Sequence, residues 1–196
     1  MTPPQALDRA REVYVLDGEI RARDPAIYHI LRPSPPRVIG PDIWLVVRTD
    51  TLDWPDERMK RIAARLQSWR SGGAKVVGIQ VDFDAATKGL GDYEKFLERV
   101  RAQLPTDARL SITGLMDWSA NGDPAALAAL KGTVDEVVIQ TYQGRSTIPG
   151  YERYFEWMEG FPLPFKIGVV ENGQFDLPPA IADEPNYLGM VIFLLP

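Results

Sequence analysis

The chain has 196 residues, 45% hydrophobic and 25% charged, the size and balance of one folded domain, which excludes disordered, collagenous and low-complexity classes. Twenty-two Lys and Arg against 27 Asp and Glu leave a net charge of -5, which repels a phosphate backbone, so nucleic acid is not an expected partner. No Cys and a single His, His29, exclude disulfides, thiolate nucleophiles and His-rich metal centres and leave carboxylate chemistry, with no cofactor and no resident metal expected.

In chain order, residues 1–12 are charged and Pro-rich where a secretory signal would be apolar, and no run reaches the roughly 18 apolar residues of a membrane span. The first strand is expected at 13–16. Residues 24–41, with Arg-Pro-Ser-Pro-Pro-Arg in the middle, show no period and read as an irregular connection, with a short extra strand at 37–39. A strand at 43–47 precedes a helix in which Met59, Ile62, Ala63 and Leu66 recur at helical spacing behind Pro55, with Gly72-Gly73 as the stop. After a strand at 76–84, Tyr93, Phe96, Leu97, Val100 and Leu104 repeat that spacing before Pro105. A strand at 110–115 leads to a short helix opened by Asp123 as N-cap with Pro124 behind it and closed at Gly132. A strand at 134–142 follows, then a helix carrying Tyr151, Tyr154, Phe155 and Met158 on one face, and strands at 165–170 and 187–194. Strands alternating with helices make the fold class α/β with a parallel sheet, in one domain spanning 1–196.

Seven or eight parallel strands fit a small TIM-like (β/α) barrel, complete or incomplete, or an open doubly wound sheet. The strand Gly78-Ile79-Gln80-Val81-Asp82-Phe83-Asp84 decides for the barrel. Period-two geometry sends Ile79, Val81 and Phe83 to one side and Gln80, Asp82 and Asp84 to the other. In an open sheet that polar row would lie under helices at several kcal/mol per uncompensated charge, on the order of the cost of burying unpaired polar groups. In a barrel it rises toward the wet mouth at the carboxyl ends of the strands. Asp117 and Trp118, Gln140 and Tyr142, and Glu171 and Asn172 also fall at strand ends. Taken alone, Asp117 reads as a helix cap or turn former, Glu171-Asn172-Gly173 as a turn, and Gln140 and Tyr142 as hydrogen-bonded filler. Asp82 and Asp84 are harder to explain as structure, since two carboxylates about 6.5 to 7 Å apart along a strand should repel and raise the pKa of one. Such a pair makes a proton donor beside an anion. Trp54, Trp118 and Tyr142 could stack on sugar rings or pin loops, whereas Trp44 and Phe193 read as core.

These residues resemble the family 18 glycoside hydrolases, the barrel chitinases, whose fourth strand carries D-G-x-D-x-D-x-E. Val77-Gly78-Ile79-Gln80-Val81-Asp82-Phe83-Asp84 looks like a degraded copy, and Gln140-Thr141-Tyr142-Gln143 is similar to the M-x-Y-D of a later strand. Gly189-Met190-Val191-Ile192-Phe193 resembles their last strand with Phe in place of Trp. The departures are Asp84 for the proton-donating Glu, Gln80 for the first inner Asp and Gln143 for the Asp after the tyrosine. The resemblance implies a modified substrate-assisted glycosidase, with Asp84 as general acid, Asp82 as the anion orienting a 2-acetamido group and Tyr142 as its hydrogen-bond donor. Asp117 or Glu171 is the alternative second carboxylate, and Gln80, Trp118, Gln140 and Trp54 would bind substrate.

A fuller resemblance is to a bacterial domain of unknown function, number 3142, carried by Tyr-Val-Leu-Asp-Gly-Glu-Ile at 14–20 and by the stretches at 44–54, 76–85, 110–127, 134–145 and 162–168. It implies a membrane-targeting segment ahead of such a region, hence a periplasmic or envelope location, and a cytoplasmic one if the chain is complete. The expected function is a glycoside hydrolase-like barrel acting on an oligosaccharide or polysaccharide. The competing readings are a non-catalytic glycan-binding descendant, an envelope scaffold, and a hydrolase or transferase holding Mg or Ca with Asp82, Asp84 and a third carboxylate.

Overall fold

The structure, a computed structural model, describes residues 10–36, 39–85 and 89–194. The extra strand expected at 37–39 falls on residues 37 and 38, outside the described residues. The chain divides into two compact units, one of Met1–Phe83 with Arg99–Leu110 and one of Asp84–Glu98 with Ser111–Pro196.

In the first unit, β1 (Glu12–Ile20) runs parallel to β3 (Asp42–Thr49), and β3 runs parallel to β4 (Val76–Asp82). Ile43, Trp44, Leu45, Val46 and Val47 are all buried, the burial on both faces expected of parallel strands under helices. Helix α1 (Asp56–Ser71) starts behind Pro55 and stops where Gly72 N donates to Ser68 O, and its expected stripe of Met59, Ile62, Ala63 and Leu66 is buried together with Trp69. Gly78 is required by space: a Cβ there would stand 2.1 Å from the carbonyl oxygen of Arg109. The connection expected at 24–41, irregular apart from a short strand at 37–39, contains a two-residue strand elsewhere, β2 (His29–Ile30), paired antiparallel with β1. The register of β1 shifts between Leu16 and Gly18, so Asp17 is an extra residue in the ladder.

Helix α2 (Leu90–Gln103) and strand β5 (Arg109–Leu115) pass from one unit to the other. The second unit continues with α3 (Asp117–Asn121), α4 (Pro124–Leu130), β6 (Glu136–Gln140), β7 (Tyr142–Gln143), β8 (Ser146–Thr147), α5 (Glu152–Phe155), β9 (Phe165–Val170), α6 (Pro179–Ala182) and β10 (Tyr187–Phe193). Strand β6 is parallel to β5 and β9, and β9 to β10. Asp123 caps α4 as expected, its carboxylate accepting from Ala125 N at 2.9 Å. The strand expected at 134–142 breaks after Gln140, because Thr141 turns both its N–H and its hydroxyl onto Gly168 O and Tyr142 leaves for a β7–β8 hairpin. The helix expected around Tyr151 shrinks to the single turn of α5 between Gly150 and Gly160, both at positive φ, yet Tyr151, Phe155 and Met158 stay buried.

The fold is thus mixed α/β, with a mostly parallel eight-stranded sheet in the order β10-β9-β6-β5-β4-β3-β1-β2 and a two-stranded sheet of β7 and β8. Every residue of β9 is buried, while β10 alternates and leaves Leu188, Met190 and Ile192 exposed. Among the described residues no helix is long and apolar enough to cross a membrane.

Candidate functional site

At the carboxyl ends of β1, β3 and β4, the parallel register sets Glu19 beside Arg48 and Arg48 beside Asp82. Arg48 Nε donates to Asp82 Oδ2 at 3.0 Å, and Arg48 Nη1 lies 3.6 Å from Glu19 Oε1. Arg21 pairs with the other oxygen of Glu19. The result is a row in which one guanidinium serves two carboxylates while half open to water, its side chain 52% exposed against 15% for Asp82 and 14% for Glu19. Exposure rises along the expected polar row: Gln80 is buried, Asp82 is half-buried at the last position of β4, and Asp84 lies past the strand end and is exposed. A charged row that is fixed by backbone register and still wet can trade a water-facing hydrogen bond for one to a polar ligand.

In the second unit, Tyr142 and Glu171 converge on Phe193. The Tyr142 ring lies 5.0 Å from that of Phe193, and Glu171 N donates to Phe193 O at 2.9 Å. Glu171 is exposed, and the Glu171-Asn172-Gly173 turn forms with Asn172 at φ 62. Gln140 closes β6 half-buried. Asp117 opens α3 as its first residue, with Met116 at the cap position, and accepts a hydrogen bond from Asn121 Nδ2. The stacking role expected of two tryptophans meets a correction. Trp118 is buried with its indole N–H on Ala85 O at 2.8 Å, and Trp54 is buried with its N–H on Thr49 Oγ1 at 3.1 Å. Neither ring offers a face to a ligand, because each indole N–H found its acceptor inside. Among the described residues, no group of three or more His, Asp or Glu side chains is arranged to hold a metal ion.

The family profile described as "Domain of unknown function (DUF3142)" matches residues 41–158, more than half of the 196. The chain belongs to the DUF3142 family. A sequence comparison with curated proteins gave no match. Among solved structures, the DUF3142 chain is similar to the spore cortex-lytic enzyme SleL of Bacillus cereus, at 17% identity and a TM-score of 0.56, over 87% of this chain and 48% of that one. It therefore spans about half the length of that enzyme, and at this identity the likeness is one of fold. The matched stretch holds Asp82, Asp84, Asp117 and Tyr142, while Glu19 and Glu171 lie on either side of it.

The DUF3142 chain also has a charged group that the sequence did not announce. Asp17 is fully buried at the β1 irregularity, where Arg65 of α1 grips both carboxylate oxygens at 2.7 Å and the Tyr28 hydroxyl donates to Oδ2 at 2.7 Å. Burial first, and then the Asp17 charge, push the Tyr28 hydroxyl far above its ordinary value, so it stays a donor. The hydrogen bond to Asp17 holds the Arg65 guanidinium more firmly protonated. Arg65 reaches on to the carbonyl of Arg32, and Leu31 N donates to Asp17 O, so the cluster staples the loop after β2 to the sheet and to α1. Gly18 makes this possible: a Cβ there would stand 2.6 Å from His29 O. Fully buried and held by Arg65 and Tyr28, Asp17 is structural, and Glu19, two residues on, is the carboxylate that strand β1 lends to the candidate site.

Proposed function

We propose that this DUF3142 domain is a carbohydrate-active protein of glycosidase type, built on a sheet of the (β/α)-barrel class and acting on an envelope or extracellular glycan. The observation that carries this reading is the Glu19–Arg48–Asp82 row at the carboxyl ends of three parallel strands, the end at which barrel enzymes keep their sites. The fold shared with a cortex-lytic enzyme supports it. In this reading Asp82 is a fixed anion aimed by Arg48, exposed Asp84 is the general acid, and Tyr142 donates to the substrate. Asp117 and Glu171 are the candidates for a second carboxylate. Gln80 is buried and is not a substrate contact in this reading, while Gln140 is open enough to touch a sugar.

A second reading, a descendant that binds glycan without cleaving it, is favoured by one observation: the Asp82 carboxylate is already engaged by Arg48. Reducing-end release from insoluble peptidoglycan and from chitohexaose separates the two. Catalysis predicts release that falls at least about 100-fold in both Asp82→Asn and Asp84→Asn, the range expected for loss of an acid–base group. Turnover undiminished in both variants removes their assigned roles. No release, with a melting temperature raised by chitohexaose, selects the binding reading. Neither release nor a thermal shift across a broad glycan panel overturns the carbohydrate proposal and leaves an envelope scaffold.

A further inference from the structure

A recess of about 440 Å³ opens in the second unit between the β7–β8 hairpin with the segment that follows it and the turn after β9. Its walls are held from several sides. Ile148 N donates to Thr141 O at 2.8 Å and Gly173 N to Val170 O at 3.0 Å, which ties each wall to a strand end. A Cβ at Gly173 would stand 2.8 Å from Thr147 Oγ1 and 2.7 Å from Val170 Cγ1, so the turn closes against β8 only with glycine at that position. Beneath, the Tyr151 hydroxyl accepts from Asp176 N at 2.8 Å while its ring lies 4.9 Å from that of Phe175, pinning the segment from Asn172 to Asp176.

The lining is polar and of mixed character. Hydroxyls come from Ser146 and Thr147, amides from Asn172 and Gln174, and the charge of Arg145 is set against the carboxylates of Glu152 and Asp176. Asn172 sits at φ 62, a conformation that glycine would take without strain, and so presents an amide where glycine would present none. Among the described residues, the side-chain amides of Asn172 and Gln174 are not used in holding the fold together. A phosphorylated ligand would call for an excess of positive charge and a lipid for an apolar wall. Planar amides and carboxylates beside hydroxyls supply instead the adjacent donors and acceptors that vicinal sugar hydroxyls require. Tyr142 stands on the same hairpin and Glu171 immediately before Asn172, so the recess continues the chain segments that carry two candidate site residues.

We infer that this recess is a subsite for a neutral oligosaccharide, contacted by Asn172 and Gln174. The inference rests on the carbohydrate reading above and specifies where part of the glycan sits. Its test is calorimetric titration of the whole chain with cellohexaose, xylohexaose, chitohexaose and, as an anionic control, hexagalacturonate, repeated with Asn172→Gly and Gln174→Ala. The expected result is binding of at least one neutral hexamer in preference to hexagalacturonate, weakened tenfold or more in each variant. Asn172→Gly should keep or raise the melting temperature, because it relieves the backbone while removing the amide. Unchanged affinity in both variants of a chain that binds a neutral hexamer overturns the subsite and leaves the carbohydrate reading standing. Preference for hexagalacturonate overturns the neutral class. A chain that binds none of the four overturns the subsite, and one that also neither releases reducing ends from peptidoglycan nor shifts its melting temperature across the broad glycan panel overturns the carbohydrate reading with it.

Discussion

Two ion-paired networks in this protein use the same chemistry and differ in their access to water. In the second unit, Lys166 Nζ on β9 lies 3.0 Å from Glu136 Oε2 on β6, and Ser111 Oγ on β5 donates to Glu136 Oε1 at 3.1 Å. Glu136 is 0% exposed and Lys166 7%. In the first unit, Glu19, Arg48 and Asp82 join three strands in the same way, with an arginine half in solvent. A sealed pair cannot exchange partners without stranding a charge in low dielectric, so Glu136 and Lys166 serve the fold. An exposed guanidinium exchanges partners with water at little cost, which is what the proposed role of the first-unit row requires. Charged residues on parallel strands therefore do not mark a site by themselves; the water beside them does.

The sharpest way to break that contrast is to remove one half of the sealed pair. Lys166→Met leaves Glu136 buried without its cation and should cost about 3–5 kcal/mol of unfolding free energy. Adding Glu136→Leu should recover most of the loss, since an apolar pair of similar volume is often neutral in place of a buried ion pair. Urea denaturation of the two variants checks both steps. A loss below about 1 kcal/mol in the single variant would mean that water reaches the pair, and the contrast would fail.

The Asp17 cluster should respond next. Tyr28→Phe deletes a hydrogen bond to a buried carboxylate, worth about 1.5–3 kcal/mol. The pH dependence has a definite sign. The folded Tyr28 hydroxyl titrates far above the ordinary 10.0, so its contribution is complete below pH 10 and is lost as pH rises beyond it, where the unfolded chain gives up the phenolic proton first. Thermal melts between pH 8 and pH 11 should show the gap between wild type and Tyr28→Phe narrowing above pH 10. A gap that stays constant over that range would contradict an enclosed, protonated hydroxyl.

The parts of the fold that could be read in the sequence are those whose cause is local. Phe165–Val170 is a strand because a short run that is apolar except for Lys166 can be buried on both faces, and α1 follows from Pro55, its apolar stripe and Gly72. Asp123 before Pro124 caps a helix wherever it occurs. What escaped depends on distant partners. The grip on Asp17 comes from Arg65, 48 residues later, and the inward turn of Trp118 from the carbonyl of Ala85, 33 residues earlier. Glu19 became a candidate only because the register carried Arg48 to its side. Asp82 was legible as a polar residue on a greasy strand, but its ion pair was not, since alternation along one strand says nothing about the next.

The smallest stability effect belongs to the open row, and there it is joined to a functional one. Arg48→Met removes an ion pair whose cation is 52% exposed, so unfolding free energy should change by no more than about 1 kcal/mol. The same substitution removes the guanidinium that bridges Asp82 and Glu19, so under the proposed function glycan binding or turnover should fall at least tenfold while the fold persists. Arg48→Lys keeps the charge but not the rigid fork that reaches two carboxylates, and it should restore stability more fully than function. Were Arg48→Met instead to cost as much as Lys166→Met, the row would be part of the scaffold like Glu136 and Lys166, and the glycan would have to be held elsewhere.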